Sequence, residues 1–372
     1  MKIETFELER QQSVWENKVK YNLTESGIHP YTLSELLEKE EIDELLSVRL
    51  GYGQTNGSIE LRDRISHLYP GTDRNNVLVT NGSAEANFIG VWSLLEPDDE
   101  IILMLPNYMQ IWGLARSFGV KIVPFHLRED LNWQPDLHEL DTKINSNAKM
   151  IVICNPNNPT GSVLSDEAMR KIVNLAKKTN AWIYADEIYR GAELSGKETP
   201  SFWGRYEKVI ISCGVSKSYA LPGLRIGWLV GPETFIDRAW SYSDYTTIST
   251  GILSNKIAAL ALQPERRKRI LTRNRNYLQN NLAILTNWVE KHQKYFSFIP
   301  PQAGGMVFLR YDMDINSTEL VTKLRELKSV FIVAGDCFGM DKYIRIGIGS
   351  KKDYLETGLD LIGEFLRDTS VV

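Results

Sequence analysis

Between residues 76 and 232 the chain repeats one pattern: a short apolar run of strand length, then a stretch with helical spacing or turn residues. The runs are Val77-Leu-Val-Thr80, Glu100-Ile-Ile-Leu-Met-Leu105, Val120–His126, Met150-Ile-Val-Ile-Cys154, Ala181-Trp-Ile-Tyr-Ala185, Val209-Ile-Ile-Ser212 and Ile226–Val230. A run with little polar alternation is buried on both faces, as strands covered by helices on two sides must be. Phe88, Trp92 and Leu95 recur at helical spacing after the first run and mark one such covering helix. The pattern predicts an α/β fold with a mostly parallel sheet flanked by helices.

The chain beyond Pro264 reads differently. A long helix to about His292 carries Leu278, Leu282, Leu285 and Val289 on one stripe. Short strands at Met306–Leu309, Val330–Val333 and Tyr343–Ile348 then mix with helices at Thr318–Leu327 and Tyr354–Leu366. This is an α+β pattern, and 372 residues leave room for about two domains. The expected division is a large domain over 46–265 and a smaller α+β domain built from 1–45 and 266–372. The first 45 residues read as polar and irregular at first. A turn at Gly27 and Pro30 follows, then one helical stretch from Leu33 to Leu46.

A net charge of -4 gives no reason to expect nucleic acid or an anionic membrane as partner. The basic run Arg266-Arg-Lys-Arg269 lies in a helical pattern and reads as a solvated helix face. Cys154, Cys213 and Cys337 lack metal-ligand spacing and fit a reducing compartment, so no metal site is expected. Met1–Glu7 carries charges where a signal peptide needs an apolar core, and no run reaches membrane-spanning length. The expectation is a soluble cytoplasmic protein.

In open α/β sheets ligands bind beyond the carboxyl ends of the strands. What stands there is chemically distinctive. Thr80 leads into Asn81-Gly-Ser-Ala-Glu85 and a helix, a turn that offers free backbone N–H groups and the positive end of a helix dipole to a phosphate. Taken alone it is equally a routine strand–helix turn. Tyr108 follows the second run and either stacks on a planar ring or fills core. Asn155-Pro-Asn-Asn-Pro-Thr-Gly161 is a rigid, non-helical turn. Asp186 closes an apolar strand, which is costly unless a cation or hydrogen-bond donor faces it. Lys217 sits on a Gly/Ser/Pro-rich loop between two buried runs, with Arg225 eight residues on. Poor solvation there favours the uncharged amine, a nucleophile that condenses with carbonyls to a Schiff base. An arginine fork suits a phosphate. An amine for an aldehyde and a guanidinium for a phosphate together describe pyridoxal 5'-phosphate (PLP). A rival reading, a dinucleotide fingerprint at Gly51-x-Gly53, fails because no strand precedes it and the pattern is not completed.

Asn158-Pro-Thr-Gly161, Asp186-x-x-Tyr189 and Lys217 with Arg225, in that order, resemble the fold type I PLP-dependent enzymes. The closest resemblance is to the aspartate aminotransferase-like class I/II aminotransferases, and it extends from Leu50 to Gly349. It implies a large domain with a seven-stranded type of sheet and a smaller α+β domain. It implies that Lys217 is the Schiff-base lysine and that Asp186 pairs with the pyridine nitrogen, an ion pair of roughly 4 kcal/mol before desolvation. Asn158 and Tyr189 would bond the ring's phenolic oxygen, and Tyr108 would stack on the ring. Gly82, Ser83 and Ala84, with Ser216 and Arg225, would hold the phosphate. Tyr52 and Gly57 match a segment that reaches the phosphate of a neighbouring subunit, which implies a homodimer with shared active sites. Arg345, in Tyr343-Ile-Arg-Ile-Gly347, matches the clamp for the substrate α-carboxylate, and Gly27 would lie over the substrate. One departure is Gly214, where the family often has Ser, so a phosphate hydroxyl donor is absent. The implied activity is amino transfer between an L-amino acid and a 2-oxo acid by a ping-pong mechanism. The alternative is elimination, β-replacement or cyclisation at the same cofactor, and Ser26-Gly-Ile-His-Pro30 faintly resembles relatives that act on arginine-like substrates.

Overall fold

The structure, a computed structural model, describes residues 3–368. The apolar runs form one sheet: β1 (Val77–Thr80), β2 (Glu100–Leu105), β3 (Lys121–Arg128), β4 (Gln134–Pro135), β5 (Ala148–Cys154), β6 (Trp182–Asp186), β7 (Val209–Gly214) and β8 (Gly227–Val230). Their spatial order is β1-β8-β7-β6-β5-β2-β3-β4. All seven expected runs are strands, and the two-residue β4 extends one edge. The β7–β6–β5–β2–β3 pairs are parallel. β8 runs antiparallel to β1 and β7 because the loop between β7 and β8 contains only one short 3-10 turn and no crossover helix.

Successive strand residues point to opposite faces, and both faces are packed. Ile101, Leu103, Val152 and Leu229 meet the helices Ser83–Leu94, Gln110–Ser117 and Glu233–Ser243 on one side. Ile102, Met104, Ile151, Ile183 and Ile211 meet the helix Asp166–Thr179 and its neighbours on the other.

A second, antiparallel sheet contains β9 (Phe296–Phe298), β10 (Met306–Tyr311), β11 (Val333–Ala334) and β12 (Tyr343–Gly347) in the order β9-β10-β12-β11. The helices Pro264–Lys291, Ser317–Lys328 and Lys352–Arg367 close its core through Leu278, Leu285, Leu320, Leu324, Leu359 and Ile362. Tyr21–Asn22 pairs in parallel with Val330–Phe331, and Leu23 and Ile28 enter the same core.

Three local expectations are corrected. Residues Glu7–Trp15 are helical, where the sequence reads as irregular. That helix buries Leu8 and Gln12, and Gln12 Nε2 donates to Thr24 Oγ1 at 2.8 Å, so tertiary contacts hold it. The stretch Leu33–Leu46 is two helices, Leu33–Leu36 and Lys39–Leu46. Leu37 is extended, and Glu38 with Glu41 forms a capping box that starts the second. The single strand expected at Val330–Val333 is divided between two pairings, with Tyr21–Asn22 and with β12. No helix among the described residues is long and apolar enough to cross a membrane, and no cluster of His, Cys, Asp and Glu there could hold a metal ion.

Candidate active site

Asp186 ends β6 and is 6% exposed. Its carboxylate accepts from the Ile188 N–H at 3.1 Å and from Asn87 Nδ2 at 3.3 Å. Burial raises its pKa to about 6, against the pull of these two bonds and of the Lys217 charge. Among the described residues no cation lies within ion-pair distance of it. A buried carboxylate left this way is costly unless a cationic ligand faces it.

Lys217 follows β7 by three residues, and its Nζ lies 3.8 Å from the Glu25 carboxylate. The side chain is 28% exposed, so the poorly solvated amine expected from the flanking runs is realised only in part. A Cβ on Gly27 would stand 3.6 Å from Lys217 Cδ and 3.5 Å from the Ser216 carbonyl oxygen. The loop carrying Gly27 therefore lies directly on Lys217 and on the buried Ser216.

At the other end β1 turns at Gly82, φ +84°, into the helix Ser83–Leu94. A side chain on Gly82 would collide with the Arg225 guanidinium, and one on Gly227 would collide with the Gly82–Ser83 backbone. Gly82, Ser83, Ala84 and Arg225 thus form one corner, where first-turn N–H groups have no intrahelical partner. Gln110 Nε2 donates to the Ala84 carbonyl at 2.9 Å and steadies this turn from the next helix. Gly214 is explained at the same place. A Cβ there would come within 2.8 Å of the Ile226 carbonyl oxygen, so the approach of β7 to β8 leaves no room for serine.

Arg345 projects from the middle of β12 and is 1% exposed. Nη1 donates to Asn158 Oδ1 at 2.7 Å and Nη2 to the Thr24 carbonyl at 2.6 Å, while Nε has no partner. The guanidinium lies 5.4 Å from the Phe338 ring centroid. Burial lowers its pKa, yet a guanidinium stays charged in proteins. Among the described residues it has no carboxylate within ion-pair distance. Asn158 is held by its rigid turn, where Asn157 Oδ1 accepts from Thr160 Oγ1 at 2.8 Å and Asn157 Nδ2 donates to the Pro106 carbonyl at 3.0 Å. Tyr189 is buried and donates to Ser26 Oγ at 2.8 Å. The Tyr108 hydroxyl donates to Glu9 Oε1 at 2.6 Å, and its ring meets Phe6 edge-on at 5.0 Å. Burial raises the Tyr108 pKa first, and the charges of Glu9, Tyr189 and Asp186 add to it, so these groups share one pocket.

The structure therefore brings together Asp186, Tyr189, Tyr108, Asn158, Arg345, Gly27, Ser216 and Lys217, and packs Gly82, Ser83, Ala84 and Arg225 into one corner. Tyr52 is not among them within this chain. It is 88% exposed and lines a surface recess with Thr250 and Gly251. Sequence reasoning missed Asn87, Thr24, Ser26, Glu9 and Glu25. Asn87 had a signal, since it is an amide in an otherwise apolar helix turn; the others depend on contacts more than 90 residues apart.

Comparison with known proteins decides what this constellation belongs to. Residues 22–362 match the family model described as aminotransferase class I and II. The chain belongs to the class I and II aminotransferase family. A PLP-dependent aminotransferase from Streptococcus suis superposes with a TM-score of 0.93 at 34% identity, covering 99% of this chain and 98% of that one. Capreomycidine synthase of Streptomyces vinaceus is 27% identical over 94% of this chain and 90% of its own length. Aspartate aminotransferase of Thermotoga maritima is 26% identical over 93% and 91%. The fold is fold type I, and the cofactor is PLP.

The residues present fit that cofactor. A class I and II aminotransferase needs an anion facing a ring cation, a donor-rich corner for a phosphate and a primary amine for a carbonyl. Here these are an uncompensated buried carboxylate at Asp186, a helix start packed on Arg225, and the Lys217 amine within range of the Asp186 charge.

Proposed function

We propose that the protein is an aminotransferase that moves an amino group from an L-amino acid to a 2-oxo acid in two half-reactions. The supporting observation is a primary amine, Lys217 Nζ, whose charge reaches the buried Asp186 carboxylate, in a chain that also buries the Arg345 guanidinium with no carboxylate in ion-pair distance. PLP, when bound, serves as the sink for the electrons of the substrate's Cα–H bond. The backbone amides of Gly82, Ser83 and Ala84 would hold its phosphate, with Ser216 and Arg225. Asp186 would hold the ring nitrogen, Asn158 and Tyr189 the phenolic oxygen, and Tyr108 would pack on the ring. Arg345 takes the α-carboxylate through charged hydrogen bonds, each worth about 1.5–3 kcal/mol. Gly27 would lie over the substrate, since its loop packs on Lys217 and Ser216. Lys217 Nζ would take the proton from Cα as general base and then hold it for return as general acid.

The likeness to capreomycidine synthase supports a second reading, in which the same Lys217 and Arg345 serve elimination, replacement or ring closure. Adding an L-amino acid alone to the loaded protein separates the two. Amino transfer should convert the cofactor to pyridoxamine phosphate, with one equivalent of 2-oxo acid and no ammonia, and a 2-oxo acid should restore it. Consumption of the amino acid with the cofactor unchanged, with release of ammonia for elimination or retention of the α-amine for replacement or ring closure, would favour the second reading.

We also propose that the active form is a homodimer in which Tyr52 reaches the partner's phosphate corner. Leu46, Leu50, Tyr52 and Tyr245 are each more than 80% exposed, an apolar surface that water penalises. Sedimentation should give twice the 42.5 kDa chain mass. A 42.5 kDa species with full activity would refute shared sites.

A further inference from the structure

The substrate pocket has a charge pattern that the aminotransferase reading leaves unused. Glu9 and Gln12 in the helix Glu7–Trp15, and Glu16 at its C-cap, recur at i, i+3 and i+7 and so follow one face. That face is turned towards the site, since Glu9 accepts from the Tyr108 hydroxyl and Gln12 donates to Thr24. Thr24 and Ser26 are buried and bonded to Arg345 and Tyr189, while Glu25 between them points its carboxylate at Lys217. Glu9 and Glu16 form no ion pair within the described residues, and the one cation within ion-pair distance of Glu25 is Lys217, the amine committed to the cofactor. Burial first, and then the like charges of Glu25 and Glu9, raise the pKa of Glu16, so the three carboxylates crowd one region.

A second, independent feature points to a ligand. Arg345 is buried, lacks a carboxylate partner, leaves Nε unbonded, and reaches the carbonyl of the residue before Glu25. A buried cation with no carboxylate in ion-pair distance, set apart from an acidic wall that feels it only at longer range, is the complement of a molecule that is anionic at one end and cationic at the other. A substrate with an acidic side chain would instead meet three like charges.

We propose that the protein selects amino acids with a cationic side chain of lysine, ornithine or arginine type, held by Arg345 at the carboxylate and by Glu9, Glu16 and Glu25 at the distal cation. This rests on Arg345 being the carboxylate clamp of the reading above. The test uses ligands without an α-amine, which bind but cannot react. Titration calorimetry on the PLP-loaded protein compares 5-guanidinopentanoate, hexanoate and adipate. One to two added charged hydrogen bonds correspond to at least about tenfold tighter binding of 5-guanidinopentanoate than of hexanoate, with adipate weakest. The double variant E16Q/E25Q should bring 5-guanidinopentanoate and hexanoate within about twofold of each other. A ratio of affinities within one protein does not depend on the folded fraction. Hexanoate or adipate binding as tightly as 5-guanidinopentanoate overturns the inference while leaving amino transfer intact, as does a preference that survives in the double variant. Failure of all three to bind overturns the carboxylate clamp as well.

Discussion

Lys217→Ala is expected to abolish turnover, with a loss on the order of 10⁴-fold or more, since one nitrogen serves as both nucleophile and proton carrier. The variant should also lose the visible absorption band of a lysine-linked cofactor while still binding PLP through the Gly82–Ala84 corner and Arg225. Folding should survive. The side chain is 28% exposed and its one ion pair, to Glu25, is 3.8 Å long, so little stability is at stake. Lys217→Arg keeps a charge beside Glu25 but cannot give up its proton, so it should be as inactive as the alanine variant. Full activity in either variant, measured by oxo-acid formation, would end the proposed chemistry.

The second large effect is at Asp186. Asn has the same shape without the charge. Loss of an ion pair of about 4 kcal/mol predicts a fall in kcat on the order of 10³-fold. The cofactor-free protein should respond in the opposite direction. The folded state raises this carboxyl to about 6 from an ordinary value near 3.9, so it favours the neutral acid. The stability this contributes is fully present below about pH 4 and is lost as pH rises through 6, up to about 3 kcal/mol. Glu187 is buried as well and raised to about 7, and it adds a loss over a slightly higher range. Asp186→Asn removes only the first part. Without cofactor it should therefore be more stable than the parent at pH 7.5, by about 1–3 kcal/mol in urea titrations, and the difference should vanish near pH 4. PLP should stabilise the parent far more than the variant. A variant that keeps more than a tenth of the parent kcat would show that the 186 carboxylate does not face the ring, and one that is no more stable at pH 7.5 would show that burying this carboxylate costs little.

Much of the site is legible because its parts are local. Gly82–Ala84, Asp186 and Lys217 each stand within a few residues of a strand end, and a strand end is visible as an apolar run meeting turn residues. The charge state of the pocket is not local. Asn158 and Arg345 meet across 187 residues of chain, and Tyr108 and Glu9 across 99. The helix Glu7–Trp15 has weak apolar periodicity and exists because Leu8 and Gln12 find partners elsewhere in the fold. Gly214 reads as a missing hydroxyl in the sequence and as a steric requirement in the structure.

The strand–helix alternation over residues 76–232 and the motifs that end its strands were determined by the sequence alone, because hydrophobic period and turn preference act over a few residues. The tertiary structure alone decided that β8 runs against its neighbours, that the helix Glu7–Trp15 reaches Tyr108 through Glu9, and that Glu25 comes to Lys217. Charges at such separations come together only when packed elements carry them, and no short-range pattern encodes that meeting.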